Sequence, residues 1–489
     1  MDFKDKKVTV MGLGLFGGGV ATVNWLVKHG AKVTVTDLKT KRELKSSLNK
    51  LTGLSACKLV LGRHEEADFK NADIVVQNPG VPRESRYLKI ARQAGAAIEN
   101  EASLFLKNCP GAVIGVTGTR GKSTTASLIY EMLTACRLPL TTGNKRLAVG
   151  GKWLAFLAGL PQKPMLEILD KVKANDIVVL ELSSWQLEIL GEQKLSPRTA
   201  VITNIFPDHL NRYAGMKDYI AAKKNIFLFQ KPGDFCVLNY DNEETKKMGK
   251  QVRGHRLWFS GGYFPEQNGA FAKGNKIYWR KDGQEPLICR FKDIKLAGEH
   301  NLQNVLAAVC AAGIFQVKPE AVKKVLRNFS GLPFRQELIR KINGISYVND
   351  TTATTPDGTS AALNSIKQKS KKAKKQKTII LIAGGDTKNI PDIKYKELAG
   401  LIERNCKAVI LFKGKGSRQI LKFLKIKNLV SEVWYMAEAV SLAENFAEKG
   451  DTVLLSPACA SFNLFVNEFD RGEQFNRAVK SLKHKNTRT

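Results

Sequence analysis

Nine short apolar runs, each ending in a turn, recur along this chain and constrain its fold more than any other feature. VTVMGLG (8–14), AKVTVTD (31–37) and ADIVVQNPG (72–80) form a first group. AVIGVTG (112–118), DIVVLELSS (176–184) and TAVITNI (199–205) form a second, and TIILIAGGD (378–386), AVILFKG (408–414) and DTVLLSPA (451–458) a third. Between the first two runs, Gly19 to His29 carries Val20, Val23, Leu26 and Val27 at helical spacing, which opens a strand–helix–strand unit. Strands apolar almost throughout, each leading into a polar loop, suit parallel sheets covered on both faces. At 489 residues the chain exceeds what one core supports. The three groups predict three α/β domains, 1–100, 101–331 and 332–489, with boundaries near Glu101 and at Gly331-Leu332-Pro333. Residues 254–296, with glycines and aromatics in weak alternation, predict a small antiparallel excursion.

Lysine and arginine number 78 against 45 aspartates and glutamates, a formal net charge of +33. Such a charge concentrates anions, whether nucleic acid, acidic membrane or phosphorylated small molecules. Seven lysines fall between Lys367 and Lys377, which reads as a solvated loop or helix end, with a polyanion-binding patch the minority reading. No apolar run approaches the roughly 18 residues of a membrane span, and no signal-peptide pattern is visible. The eight cysteines are scattered without a CxxC pair, so no zinc knuckle or dithiol site is encoded locally. Reduced thiols in a cytoplasmic protein are the expectation.

Two glycine turns carry chemistry. Gly12-Leu13-Gly14-Leu15-Phe16-Gly17 follows the first strand and opens a helix, with Asp37 closing the second strand. Such glycines let backbone approach a phosphate at a helix N-terminus, and the carboxylate can take a sugar hydroxyl. They would equally serve strand–helix packing, and the motif does not separate a dinucleotide from a nucleotide sugar. The second turn, Gly115 to Thr124, reads GVTGTRGKST. Its amides would cradle phosphates, Lys122 would reach the terminal ones, and the Ser123 hydroxyl would bind Mg²⁺. A valine at 116 departs from the strict GxxxxGK[ST] pattern. Glu181 ends an apolar strand, where parallel sheets face their ligand crevice, so it is poised to hold Mg²⁺ beside this loop; helix capping is the alternative. His209, next to Asp208 after another strand, reads as a metal ligand.

GTRGKST, ELSSWQLE, TNIFPDHLNRY, AAK, GEHNLQN, FRQE, NDTTATTPDGT, GGDTKN and LSPACASFNLFVNEFDRG occur in that order. Together they resemble the Mur ligase family over nearly the whole chain, Gly12 to Gly472, with ELSSWQLE and LSPACASF the most specific pieces. The resemblance implies an α/β fold in three domains. An N-terminal Rossmann-like domain would grip UDP, a central P-loop domain would bind ATP, and a C-terminal Rossmann-like domain would bring the amino acid. The implied reaction is ATP-dependent addition of D-glutamate to UDP-N-acetylmuramoyl-L-alanine through an acyl phosphate, in peptidoglycan precursor synthesis. A sibling ligase adding a different amino acid is the alternative. On the resemblance, Gly14, Leu15, Phe16, Gly17, Asp37, Leu38, Lys39, Asn78, Pro79 and Gly80 would contact UDP, and Asn144, Ser183 and Gln186 the muramoyl-alanine end. Gly118, Thr119, Gly121, Lys122, Ser123 and Thr124 would hold ATP, with Asn301, Asn304, Arg335 and Asp350 around its adenine, phosphates and ribose. Ser123 and Glu181 would bind one Mg²⁺ and His209 a second. Lys223 matches a lysine carbamylated by CO₂, which would make it an anion able to support a metal. Lys122, Lys223, His209 and Arg335 form the implied catalytic group, and Lys388, Ser461 and Phe462 the amino-acid end. A monomer without nucleic-acid partner is expected.

The chain departs from the family pattern at several positions. Thr352 stands where lysine is usual, Glu468 where phenylalanine is usual, Asn211 for an aspartate, Arg120 for an asparagine and Phe334 for a histidine. The first bears on the amino-acid pocket, and none removes the ATP machinery. A dehydrogenase would leave the second turn idle. A nucleic-acid-dependent ATPase would use the charge, but no recognition motif accompanies it.

Overall fold

The apolar runs form strands in three sheets. The computed structural model describes residues 1–136, 153–208, 212–264, 268–296, 298–370, 378–387, 390–425, 430–461 and 463–482, in two compact units, Met1–Phe329 and Ser330–Thr489. Asn144, His209, Asn211, Lys388, Phe462 and positions 371–377 of the lysine run lie outside the described residues.

In the first unit, β1 (Lys7–Met11), β2 (Lys32–Asp37), β3 (Cys57–Leu61), β4 (Ile74–Gln77) and β5 (Ala97–Glu99) make a parallel sheet ordered β3-β2-β1-β4-β5. The second sheet holds β6 (Ala112–Thr117), β7 (Ala155–Ala158), β8 (Ile177–Glu181), β9 (Thr199–Ile202), β10 (Phe235–Asn239), β11 (His255–Ser260), β12 (Gly269–Lys273), β13 (Lys276–Arg280) and β14 (Leu287–Arg290). Its order is β14-β13-β12-β11-β10-β9-β6-β8-β7. The excursion expected at 254–296 is only partly antiparallel: β11 runs parallel to both β10 and β12, and the direction alternates from β12 to β14. Asp282 and Gly283, both left-handed (φ 50° and 80°), turn the chain between β13 and β14, as a two-residue hairpin requires.

Position in the second sheet decides what surrounds the second glycine turn. β6 lies between β8 and β9, with Val116 opposite Glu181 and Thr117 opposite Ile202. The ends of β8 and β9 therefore flank the loop that leaves β6. The helix Lys122–Ala135 then packs Leu128, Ile129, Met132 and Leu133, all fully buried, into the core shared with the helix Glu299–Ile314. The first two sheets are fastened by side chains. Asn100 caps the helix Glu101–Asn108 with its oxygen and donates its amide to Gln186 O (3.0 Å), while Trp25 Nε1 donates to Asp170 Oδ1 (2.9 Å).

In the second unit, β15 (Glu337–Ile342), β16 (Ile345–Asn349), β17 (Ile379–Gly384), β18 (Cys406–Phe412), β19 (Val430–Val433) and β20 (Thr452–Leu455) are ordered β15-β16-β20-β17-β18-β19, with only β15 antiparallel. Side chains alternate along β18. Val409 and Leu411 meet the helices Pro356–Ser370, Asp392–Asn405 and Lys415–Phe423, whereas Ile410 and Phe412 meet Met436–Phe446 and Glu468–Ser481.

Gly19 shows how closely the first helix starts against its turn, since a Cβ there would overlap the Leu13 carbonyl. Gly19→Ala is expected to lower unfolding free energy by about 3 kcal/mol in denaturant titration. Gly95→Ala, at a left-handed glycine facing open space, should lose only about 1 kcal/mol. Equal losses would show that the turn is loosely packed.

Candidate active site

The second glycine turn is shaped by close approach. A Cβ on Gly118 would overlap Thr203 Oγ1, and one on Gly121 (φ 82°) would overlap Asn304 Oδ1. The loop is pinned from β9: Thr119 N donates to Asn204 O (2.9 Å), Arg120 N to Asn204 Oδ1 (2.9 Å), and Thr203 Oγ1 to Arg120 O (2.6 Å). Ser123 is buried in the first helical turn, with Thr124 half-buried beside it. Lys122 arches back, donating Nζ to the carbonyls of Gly118 and Thr119 (3.2 Å each). Asn304 donates to Asn301 Oδ1 (3.3 Å), so this pair backs the loop from the helix Glu299–Ile314.

Lys223 reaches the same loop from the helix Met216–Lys224. Its Nζ donates to Gly118 O (2.9 Å) and lies 4.9 Å from the Tyr219 ring centre, with the residue 2% exposed. Burial pushes this amine well below the ordinary lysine range; the Lys122 charge adds to the effect, and Asp208 and Glu181 oppose it. Tyr219 shares a hydrogen bond with Thr119 Oγ1 (3.1 Å). Glu181 does not cap the following helix; Ser183 does, in a reciprocal capping box with Gln186. One carboxylate oxygen of Glu181, Oε2, is buried with no hydrogen-bond partner among the described residues. An orphaned acceptor next to the Ser123 turn fits a hard cation that takes oxygen ligands. No three of His, Cys, Asp or Glu converge among the described residues, so such a cation would also draw on the hydroxyl and on water.

The first glycine turn is held differently. Asp37 Oδ2 accepts from Leu13 N (2.9 Å) and Gly14 N (3.0 Å), and Oδ1 from Lys39 N (2.8 Å). Its carboxylate thus ties the turn to β2, which the motif alone did not reveal. Asn78 Nδ2 donates to Gly12 O (2.9 Å), drawing in the loop that continues through Pro79 and Gly80. Gly14, Leu15 and Gly17 are half-buried, while Phe16, Leu38 and Lys39 are exposed around the turn. Ser183 and Gln186 are satisfied by each other. Arg212 was not singled out in the sequence. It lies over Trp185 (4.7 Å) and donates to Pro79 O and Glu188 Oε2 (3.4 Å each), joining the 78–80 loop to the helix Ser184–Glu192. Its sequence signals are its place within the segment TNIFPDHLNRY and the i,i+3 spacing of Trp185 and Glu188 on that helix.

In the second unit, Asp350 is buried, accepting from Gln336 N (3.1 Å) and the Ser456 hydroxyl (2.9 Å). Arg335 is exposed between Phe334 and Gln336, both left-handed (φ 63° and 47°). Non-glycine residues in that region cost about 1–3 kcal/mol each, so the turn that aims Arg335 is held by its surroundings. Glu337 Oε2 accepts from Phe334 N (2.8 Å). Thr352 donates its hydroxyl to Phe334 O (3.0 Å), and Glu468 contributes its carbonyl to Thr351 Oγ1 (2.8 Å). Arg471, fully buried, donates to Thr351 Oγ1 and O (3.0 Å each) and to Cys459 O (3.3 Å), binding the 351 loop to the 456–461 loop. Ser461 Oγ is buried without a partner among the described residues.

Burial pushes the Asp350 carboxyl up to about 7, partly offset by its hydrogen bonds and by Arg335. An unfolded aspartate titrates near 4, so the folded chain holds the extra proton. This group's contribution to stability is full below about pH 4 and is lost as pH rises through about 7. The thermal midpoint should therefore fall more steeply between about pH 5 and 8 in the parent than in Asp350→Asn; parallel curves would refute the burial argument.

Three family models match in succession: the Mur ligase MurD-like N-terminal domain over 6–100, the Mur ligase middle domain over 116–312 and the Mur ligase glutamate ligase domain over 334–459. A UDP-N-acetylmuramoylalanine–D-glutamate ligase from Roseiflexus sp. (strain RS-1) is 41% identical, over 99% of this chain and 100% of its own. One from Acetivibrio thermocellus is 35% identical, over 98% and 97%. The solved UDP-N-acetylmuramate-alanine ligase of Thermotoga maritima shares the fold, with a TM-score of 0.59 at 19% identity over 98% of this chain and 100% of that one. With full-length relatives at these identities and three matching models in order, the chain belongs to the Mur ligase family.

Proposed function

We propose that this Mur ligase joins D-glutamate to UDP-N-acetylmuramoyl-L-alanine using ATP, a step of peptidoglycan precursor synthesis. The full-length match to ligases of that name supports the substrates. One observation carries the chemistry: two lysines and an orphaned carboxylate oxygen converge on a glycine loop made for phosphates. Residues 1–100 are assigned to the UDP sugar, 101–331 to ATP and 332–489 to the amino acid.

A carboxylate does not condense with an amine in water, because its oxygen is a poor leaving group. Moving the γ-phosphoryl of ATP onto the alanyl carboxylate makes an acyl phosphate, and that transfer needs charge neutralisation and in-line positioning. Lys122 is placed to exchange its carbonyl contacts for phosphate oxygens, and the loop amides hold the chain of phosphates. Ser123 and Glu181 would hold Mg²⁺, which supplies charge neutralisation across the phosphate oxygens. Burial favours the neutral form of the Lys223 amine, the form that adds to CO₂: an N–C bond forms as one C=O π bond opens onto oxygen, the nitrogen loses a proton to solvent, and the carbamate brings negative charge beside Lys122. The D-glutamate amine then attacks the acyl carbon and phosphate departs. Asn301, Asn304, Arg335 and Asp350 are assigned to the nucleotide, and Ser461 to the amino acid. Asn144, His209, Lys388 and Phe462 are assigned on the resemblance alone. No described helix is long and apolar enough to cross a membrane, and the substrates suit the cytoplasm.

Phosphate release from ATP should require UDP-N-acetylmuramoyl-L-alanine and an amino acid together, with D-glutamate preferred over L-glutamate and other D-amino acids. Lys122→Ala should lower turnover by about a thousandfold. A different preferred amino acid would move the specificity and leave the ligase reading standing; unchanged turnover in Lys122→Ala would remove the phosphate role. Lys223→Ala should lose activity and regain part of it with added short carboxylates, and a lack of rescue would dismiss the carbamate.

A further inference from the structure

We propose that one face of the second unit, formed by the helices Pro356–Ser370, Asp392–Asn405 and Lys415–Phe423, docks on an anionic phospholipid surface. The two helical layers of this unit differ in charge. The helices Asp392–Asn405 and Lys415–Phe423 hold six lysines and arginines against three aspartates and glutamates. The helices Met436–Phe446 and Glu468–Ser481 of the opposite layer hold three against five. A chain that is merely lysine-rich would colour both faces alike, so the segregation is specific to this layer.

The acids on the basic face are already engaged. Asp392 pairs with Lys422 (2.7 Å), Glu397 pairs with Lys394 (3.3 Å), and Glu403 accepts from Lys425 N (2.6 Å). Lys396, Arg404, Lys415, Arg418 and Lys425 are exposed, and none forms an ion pair among the described residues. The Glu403 contact places the end of one helix beside the end of the next, which brings Arg404 and Lys425 near one another. The lysine run begins at Lys367, in the last turns of the first helix of this layer. Its positions 371–377 lie outside the described residues, and the surface is defined without them.

The partner follows from the kind of charge. On this face Lys394, Lys396, Lys415, Lys422 and Lys425, compact point charges, outnumber Arg404 and Arg418, where recognition of defined phosphates favours the arginine fork. The described parts of the three helices expose no aromatic side chain on which a base could stack, whereas Ile393, 56% exposed, offers an aliphatic contact. Diffuse lysine charge with aliphatic contact suits the headgroup region of an acidic bilayer. None of these residues is assigned to ATP, the UDP sugar or the amino acid, so the surface is independent of the ligase reading.

The test is co-sedimentation of the full chain with vesicles of about one-third phosphatidylglycerol in phosphatidylcholine, at about 0.1 M salt. Binding is expected to these vesicles and not to phosphatidylcholine alone. The triple variant Lys396→Glu/Arg404→Glu/Lys425→Glu should weaken it at least tenfold, with amide-forming activity and thermal midpoint unchanged. The charge-matched control on the opposite side, Lys449→Glu/Arg477→Glu/Lys480→Glu, should change it less than threefold. If the triple variant is destabilised, Lys396→Glu alone should still weaken binding about threefold. Equal losses in both triples, no binding to acidic vesicles, or tighter binding to single-stranded RNA than to vesicles would each overturn the proposal.

Discussion

An amine buried against the carbonyl of Gly118 is the contact on which the shape of the second glycine turn depends. Burial away from water, with the Lys122 ammonium adding repulsion, holds the Lys223 amine well below the ordinary lysine range. Packing holds the amine in place: Tyr219 lies along its stem one helical turn earlier and is itself anchored to Thr119 of the loop. The unpaired oxygen of Glu181 belongs to the same balance. The fold buries this acceptor near the loop without a donor among the described residues.

The two glycine turns, alike in sequence, are used in opposite ways. In the first, the amides of Leu13 and Gly14 are spent on Asp37, so the turn is rigid and less of its backbone remains for a phosphate. Around this turn Phe16 and Leu38 stay exposed. In the second, the loop is pinned from outside by Asn204 and Thr203, and Lys122 is parked on its carbonyls. One turn is a fastened shape and the other a prepared cradle.

The strands that were legible share one property, burial on both faces, which writes an unbroken apolar run. β7, Ala155–Ala158, was missed because it is a short edge strand with partly exposed residues. The parallel pairing of β11 with β12 leaves no local trace, since direction depends on where the chain re-enters the sheet. The site divides in the same way. Phosphate-loop residues were legible because their spacing is set by one turn. The capping role of Ser183, the inward use of Asp37 and the bridging Arg212 depend on partners far away in sequence. The left-handed Phe334 and Gln336 are invisible to any propensity argument, because tertiary contacts impose them.

The Asp282–Gly283 hairpin has a practical consequence. A two-residue turn at the rim of a nine-stranded sheet, with open space where a side chain on Gly283 would project, bears no weight from the catalytic apparatus. It is the natural port for grafting a fluorophore or affinity peptide onto this enzyme, because added residues there lengthen a solvent loop and leave the interior untouched.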